Sequence, residues 1–244
     1  MKIAIDTHTH SLASGHAYST VDEMARGARR RGLKGFVLTD HGPGISGGIQ
    51  PHPYHFGNLP IIPERIRGIR FLKGVEANIL DLEGSLDMAE RQLARLDFVL
   101  AGLHEACFAP RGTEENTAAL VRALGHPHVD AVSHAGNPVY PIDARTVILA
   151  ARDNGKAIEI NNSSFRVRPG SHERCREIAL LCMETGTPVV CGSDAHFWTD
   201  VGRFDKVMEL FREIRMPAEL VINSSERSFD SFLARRRADR APAT

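Results

Sequence analysis

The sequence has no excess of charge, no long apolar run and no paired-cysteine motif, and each absence removes a class of function. Thirty Lys and Arg balance thirty Asp and Glu among 244 residues. A neutral balance provides no field to gather nucleic acid or an anionic membrane, so neither is expected as a partner. No stretch approaches the roughly 20 apolar residues of a membrane span, and the N-terminus lacks the charged-then-apolar order of a secretory signal. A cytoplasmic location is therefore expected. Cys107, Cys175, Cys182 and Cys191 form no CxxC pair. Cys175 and Cys182 share a helix face but lie two turns apart, too far to bridge, and reduced, partly buried thiols are expected. No composition shift or linker divides the chain, which reads as one domain over residues 1–244.

Histidine is what the chain has in quantity, with 12 copies. The opening run Lys2-Ile3-Ala4-Ile5-Asp6 reads as a buried strand and leads straight into His8-Thr9-His10. Side chains at i and i+2 of an extended chain point the same way, so these two imidazoles converge. His16 lies a short loop further on.

Apolar runs then alternate with helical segments. Thr20-Val21-Asp22-Glu23 is a capping box that predicts a helix to about Arg31. Strand 34–39 delivers Asp40-His41. A Gly-, Pro- and His-rich loop from 42 to 58 is too long for a mere connection. A helix is expected near 61–67, strand 69–75 ends in Glu76, and 85–95 has a helical pattern. Strand 97–103 ends in His104, helix 113–124 follows, and strand 129–133 ends in His134. Helix 144–153, strand 157–161, helix 173–185 and strand 188–192 complete the alternation, the last ending in Ser193-Asp194-Ala195-His196. Helices are expected over 205–215 and 226–237, the second basic and exposed on one side.

Seven βα units with non-alternating apolar strands point to a parallel sheet covered by helices, and unbroken repetition favours a closed α/β barrel. His8, His10, His41, Glu76, His104, His134, Asp194 and His196 all fall at or just past strand C-termini, the face on which barrel enzymes build their sites. Neutral imidazoles with a few carboxylates suit zinc, manganese or iron. The set exceeds what one tetrahedral ion needs, which implies two or three ions. A carboxylate such as Glu76 is the natural bridge, because its two oxygens can serve two ions.

These motifs carry a resemblance. Asp6-Thr7-His8-Thr9-His10 with His16, Thr39-Asp40-His41-Gly42, Gly74-Val75-Glu76-Ala77-Asn78, Gly102-Leu103-His104-Glu105, Ser133-His134-Ala135-Gly136-Asn137, Glu159-Ile160-Asn161-Asn162-Ser163-Ser164 and Gly192-Ser193-Asp194-Ala195-His196 resemble, in order over residues 3–200, the PHP (polymerase and histidinol phosphatase) family. His16-Ala17-Tyr18-Ser19-Thr20, Asn161-Asn162-Ser163-Ser164-Phe165 and Ala135-Gly136-Asn137-Pro138 place the likeness in its YcdX-like branch of small stand-alone phosphatases. The resemblance implies a distorted seven-stranded, TIM-like (β/α) barrel with three divalent metals, zinc first, with manganese or iron as alternatives. It implies His8, His10, Glu76 and Asp194 on the first metal and His16, His41 and His196 on the second. Glu76 then bridges to a third metal held by His104 and His134. Ala135 departs from the proline that related chains often carry after the histidine.

Such a site implies a metal-dependent phosphatase acting on a small phosphorylated substrate through a metal-bridging hydroxide held by Glu76 and Asp194. Arg166 and Arg168 are candidates to clamp the phosphate. His52 and His55 are candidates to border the substrate or donate a proton. His126, His128 and His172 lie outside the motifs and are expected at the surface. A homo-oligomer is compatible with the sequence. The alternatives are an amidohydrolase-type hydrolase, which would want a bridging lysine where Glu76 stands, and a non-catalytic metal-binding regulatory module, which would be expected to have lost ligands.

Overall fold

Each apolar run is followed by a segment with one apolar face, and the computed structural model, which describes residues 1–45 and 54–240, folds them into a parallel sheet ringed by helices. In chain order the strands are β1 (Ile5–Asp6), β2 (Gly35–Leu38), β3 (Arg65–Ile66), β4 (Ile69–Asn78), β5 (Phe98–Gly102), β6 (Ala131–Val132), β7 (Ala157–Asn161) and β8 (Val189–Gly192). The helices are α1 (Val21–Arg30), α2 (His55–Asn58), α3 (Glu90–Leu93), α4 (Thr113–Gly125), α5 (Ala144–Asp153), α6 (Ser164–Val167), α7 (Ser171–Thr185), α8 (Asp205–Glu213) and α9 (Glu226–Arg240). Seven strands pair in parallel in the order β1-β2-β4-β5-β6-β7-β8, while β3 pairs antiparallel with the start of β4.

The ring is nearly closed. At its upper end Thr9 bridges in parallel to Ala195, and the Asp194 N–H donates to the His8 carbonyl at 2.9 Å. Lower down, Asn223 stands in for a missing stretch of ladder. Its Nδ2 donates to the carbonyls of Ile5 and Cys191, both at 2.8 Å, and its Oδ1 accepts from the Cys191 N–H at 3.1 Å. This is the distorted seven-stranded barrel that the sequence leads one to expect.

Because strand side chains alternate in direction, every second residue enters the barrel. Ile5, Val37, Leu72, Phe98, Leu100, Ala131, Ala157 and Val190 pack its lower interior with Ile222, Phe229, Phe232 and Leu233, so α9 plugs the bottom. Each large apolar side chain buried there stabilises by ~1.5–3 kcal/mol. The upper interior is left to polar side chains.

Three expectations need correction. Residues 61–67 are not a helix: Arg67 and Gly68, both at positive φ (52° and 81°), turn the chain so that Arg65–Ile66 pairs back on Ile69–Arg70. Two successive positive-φ residues make a two-residue hairpin turn that no helix can absorb. Residues 85–95 yield only α3, because the Asp87 carboxylate accepts from the Asn78 N–H (2.8 Å) and the Gly44 N–H (2.7 Å), which holds the segment as a loop. β4 runs to Asn78 rather than Val75, which places Glu76 inside the strand. All four cysteines are free, and three are buried. Among the described residues no helix is long and apolar enough to cross a membrane.

Candidate metal centre

The upper barrel gathers all nine residues singled out above around Glu76, which is 1% exposed. Its Oε2 lies 3.0 Å from His8 Nε2, 3.5 Å from His10 Nε2 and 3.2 Å from His41 Nδ1. Its Oε1 lies 2.8 Å from His134 Nε2 and 3.2 Å from His104 Nε2. Asp194 Oδ1 faces His8 Nε2, His10 Nε2 and His196 Nδ1 at 3.6, 3.4 and 3.5 Å. His16, at the open edge, meets His196 through their Nε2 atoms at 2.9 Å.

Hydrogen bonds around the rim fix the tautomers, and this is the test of whether metal fits. His16 Nδ1 lies 3.0 Å from the Ser14 carbonyl and His196 Nδ1 lies 3.1 Å from the Asp194 carbonyl. A carbonyl only accepts, so both Nδ1 atoms carry the proton and both Nε2 atoms present lone pairs. His8 Nδ1 likewise donates to Glu159 Oε1 at 2.7 Å. His10 Nδ1 donates to Ser14 Oγ at 3.0 Å, because that hydroxyl spends its own proton on Asp40 Oδ1 at 2.7 Å. With each ring in the neutral form that ligates, four Nε2 lone pairs point inward, and two pairs of them face each other at 2.9 Å (His16 and His196) and 3.0 Å (His8 and His10). Acceptor facing acceptor at that separation is repulsive unless a cation sits between. Ligand atoms ~2.0–2.1 Å from one zinc stand about 3 Å apart. Buried Glu76 Oε1 and His41 Nδ1 have no hydrogen-bond partner among the described residues, despite neighbours within 3.2 Å. Three clusters, His10–His41–His196, His8–His10–Glu76 and His41–Glu76–His104, bring their ligand atoms within 4.8 Å of one another. The residues present fit metal ions.

Electrostatics agrees. Burial drives His10 down to about 4, with His196 adding to the effect, and holds His41 and His134 below the ordinary imidazole value. These rings are neutral at pH 7, the form that ligates. Burial also raises Glu76 and Asp194, but positive charge at His8 above all, joined at Asp194 by a hydrogen bond from His10 and by the charge of Arg168, outweighs it and keeps both carboxyls well below their usual range. His8 goes the other way. Burial lowers it, yet Glu159, Glu76 and Asp194 together hold it well above an ordinary histidine. Three buried carboxylates draw positive charge to that point, and a metal ion would supply it in place of a proton.

The backbone pays for this convergence at two ligand positions. His134 (φ 32°) and Asp194 (φ 55°), each two residues past its strand, occupy left-handed geometry, which costs roughly 1–2 kcal/mol for a residue with a Cβ. Glycine makes the room. A Cβ on Gly192 would lie 2.0 Å from Glu159 Oε1 and 2.5 Å from His8 Cβ, and one on Gly102 would lie 2.3 Å from Ser133 Oγ.

Glu159 and Asp40 stand within the motifs, yet the sequence alone assigns neither a role. Glu159, 1% exposed, orients His8 and also accepts from the His134 N–H at 2.7 Å and from Asn161 Nδ2 at 3.1 Å. Inward alternation on β7 (Ala157, Glu159, Asn161) was the available signal. Asp40 accepts from the Ser11 N–H and Oγ, from Ser14 Oγ and from His55 Nε2 at 2.7–3.0 Å. His55 is thus tied to the support of His10 through Asp40 and Ser14. His52 lies outside the described residues. His126 and His128 are half-buried beside each other, away from the cluster, and His172 is exposed.

The two arginines part company. Arg168 Nη1 and Nη2 sit 3.4 and 3.5 Å from Asp194 Oδ2, and Nη1 donates to Ser164 Oγ at 2.9 Å. Arg166, on the short helix α6 that the sequence did not announce, instead donates to Asp200 at 3.1 Å. Both line an open cleft of about 420 Å³ that reaches Asp194 and His196.

The PHP domain family matches residues 6–163. A protein of Acetivibrio thermocellus named "Probable phosphatase" is 53% identical over 97% of this chain and 98% of its own length. One of Caldanaerobacter subterraneus subsp. tengcongensis, also named a probable phosphatase, is 52% identical over 97% of this chain and 93% of its own. Among solved structures, histidinol phosphate phosphatase from Lactococcus lactis, complexed with zinc, L-histidinol and phosphate, superposes with a TM-score of 0.62 at 17% identity, covering 87% of this chain and 94% of its own. That likeness speaks for the fold, while the curated relatives span nearly the whole sequence. The chain belongs to the PHP domain family and groups there with proteins named as phosphatases.

Proposed function

We propose that this protein is a metal-dependent phosphatase that hydrolyses small phosphate monoesters at a centre of three divalent ions. The observation that carries the reading is Glu76, one buried carboxylate whose two oxygens face two separate sets of imidazoles. In this reading His8, His10, Glu76 and Asp194 hold one ion and His16, His41 and His196 a second. Glu76, through its second oxygen, would also help hold a third with His104 and His134. The proposed ligands run from His8 to His196, in keeping with the reading of the chain as one domain. Zinc is the first choice, since the donors are imidazole and carboxylate and the Lactococcus lactis neighbour was solved with zinc; manganese and iron share these ligands.

Bound dications would neutralise phosphate oxygens and bring a water's pKa toward neutrality. The chain's own part is positional. Glu159, Ser14 and two backbone carbonyls hold four imidazoles with Nε2 forward, and Arg168 presents a fork of donors beside Asp194 that suits a phosphate's oxygens. The amidohydrolase alternative gains no support, since Glu76 occupies the mid-barrel position and buried Lys156 precedes β7 at the opposite end. The test is elemental analysis of protein never exposed to chelator, with phosphate release followed over a panel of monoesters. Two to three transition-metal equivalents, and chelator-sensitive release, are expected. One equivalent or fewer, or release that survives full metal removal, refutes the reading.

A further inference from the structure

Asn161, the last residue of β7, is fully buried between two carboxylates and Ser164, and both ends of its amide are engaged. Its Oδ1 accepts from the Ser164 N–H at 2.9 Å and from Ser164 Oγ at 3.2 Å. A backbone N–H only donates, so the carbonyl end of the amide must face Ser164 and the NH2 end must face away from it. That NH2 donates to Glu159 Oε2 at 3.1 Å and to Asp194 Oδ2 at 3.3 Å. Glu159 orients His8, and Asp194 is itself a proposed ligand, so both acceptors belong to the surroundings of the first ion.

The carbonyl end leads to the phosphate side. The Arg168 N–H donates to the Ser164 carbonyl at 3.0 Å, and this single helical turn sets the Arg168 side chain beside Ser164. A guanidinium only donates, so Ser164 Oγ accepts from Arg168 Nη1 at 2.9 Å and its own proton goes to Asn161 Oδ1. The bonds therefore run in one direction, from Arg168 through Ser164 and Asn161 to the two carboxylates. Arg168 also meets Asp194 Oδ2 directly, at 3.4 and 3.5 Å, which closes a ring of four side chains. No member of the ring can turn without breaking its bonds to both neighbours. Asn161 and Arg168 together occupy Asp194 Oδ2, which leaves Oδ1 to face His8, His10 and His196.

We infer that Asn161 is a positioning residue that holds Arg168, the proposed phosphate clamp, in fixed register with the proposed metal ligand Asp194. The inference rests on the phosphatase reading above. Asn161 acts on Arg168 through Ser164, and on the ion's surroundings through Asp194 and Glu159.

The test uses Ser164→Ala, Asn161→Ala and Arg168→Ala, singly and combined, in the metal-loaded protein. Ser164→Ala removes one oxygen and releases Arg168. KM should rise roughly two- to tenfold for every monoester, the weight of one hydrogen bond, with kcat and metal affinity unchanged. Asn161→Ala should raise KM similarly and also lower metal affinity ~10–100-fold in chelator competition, because Glu159 and Asp194 both lose a donor. Added to Arg168→Ala, neither should raise KM further, since the guanidinium through which both act is already gone. A role in stability alone gives another pattern, a lower urea midpoint with reduced kcat at unchanged KM. That pattern, or effects on KM that multiply with that of Arg168→Ala, overturns the inference, while release by the wild type keeps the phosphatase reading standing. Should Asn161→Ala not fold, Ser164→Ala with Arg168→Ala decides by the same criteria. Absence of release from every monoester by the metal-loaded wild type overturns both.

Discussion

Glu76→Gln keeps the side chain's volume and removes one anionic oxygen and the charge. Glu76 Oε1 and Oε2 together lie within 3.5 Å of five imidazole nitrogens. A carboxamide offers one neutral acceptor and one NH2, and its NH2 can satisfy one imidazole while turning a donor toward a place where metal belongs. If the hold of each anionic oxygen on its ion is set no higher than a hydrogen bond to a charged group, ~1.5–3 kcal/mol, losing the anionic character of both oxygens costs the assembled centre at least about 3–6 kcal/mol. At ~1.36 kcal/mol per decade, a loss of at least ~4 kcal/mol in catalysis is roughly a thousandfold. His16→Ala makes the contrast, since His16 is exposed and touches the cluster from one edge. Its loss should cost one ion and a smaller part of the rate. The assay is metal content and phosphate release on the same preparations, with circular dichroism against chelator-treated wild type to separate lost metal from lost fold. The fold should survive, because the lower barrel is packed by apolar side chains and α9 without help from the cluster. Full metal content with near wild-type turnover in Glu76→Gln would show that Glu76 is not the bridge.

Glu159→Gln should leave the ligands in place but loosen His8, with metal affinity falling ~10–100-fold, as is usual for a carboxylate that orients a metal-bound histidine; competition with a graded chelator measures it. Arg168→Ala should reduce kcat/KM for every phosphate monoester by a similar factor, about ten or more, whereas Arg166→Ala should alter it little because that guanidinium is engaged by Asp200; equal effects would refute the division. Lys156 is 2% exposed, and burial depresses its ammonium from 10.5 to about 7, with Arg236 adding to the effect. The unfolded chain then binds more protons than the folded one above pH 7, so burying this amine costs most at or below pH 7 and the cost fades as pH rises. Wild-type stability should gain at most about 2 kcal/mol from this residue between pH 7 and 8.5, and Lys156→Met should flatten that rise. Urea midpoints at the two pH values decide it, and identical slopes would show that Lys156 titrates normally.

The sequence by itself determined the architecture, because parallel strands buried on both faces must be apolar throughout and because capping and helical periodicity are local. Helix α5 and strand β7 fall where the residues say they should, and the Thr20–Glu23 capping box forms as written. It also named the nine residues that meet in the upper barrel: eight are polar residues at or near the end of an apolar strand, which stand out in a one-dimensional pattern, and His16 follows in the loop after His10. Elements governed by long-range contacts were not legible. Residues 85–95 look helical alone, yet Asp87 is held by Asn78 and Gly44 from elsewhere in the chain. Glu159 sits within an apolar strand, and its task depends on His8, 151 positions away. Arg166 and Arg168 are two residues apart and chemically alike, but α6 turns one toward Asp200 and the other toward Asp194. Only the tertiary structure could decide these, because side-chain partners across the barrel are set by how the ring closes, through Thr9, Ala195 and Asn223, and not by any neighbour in sequence.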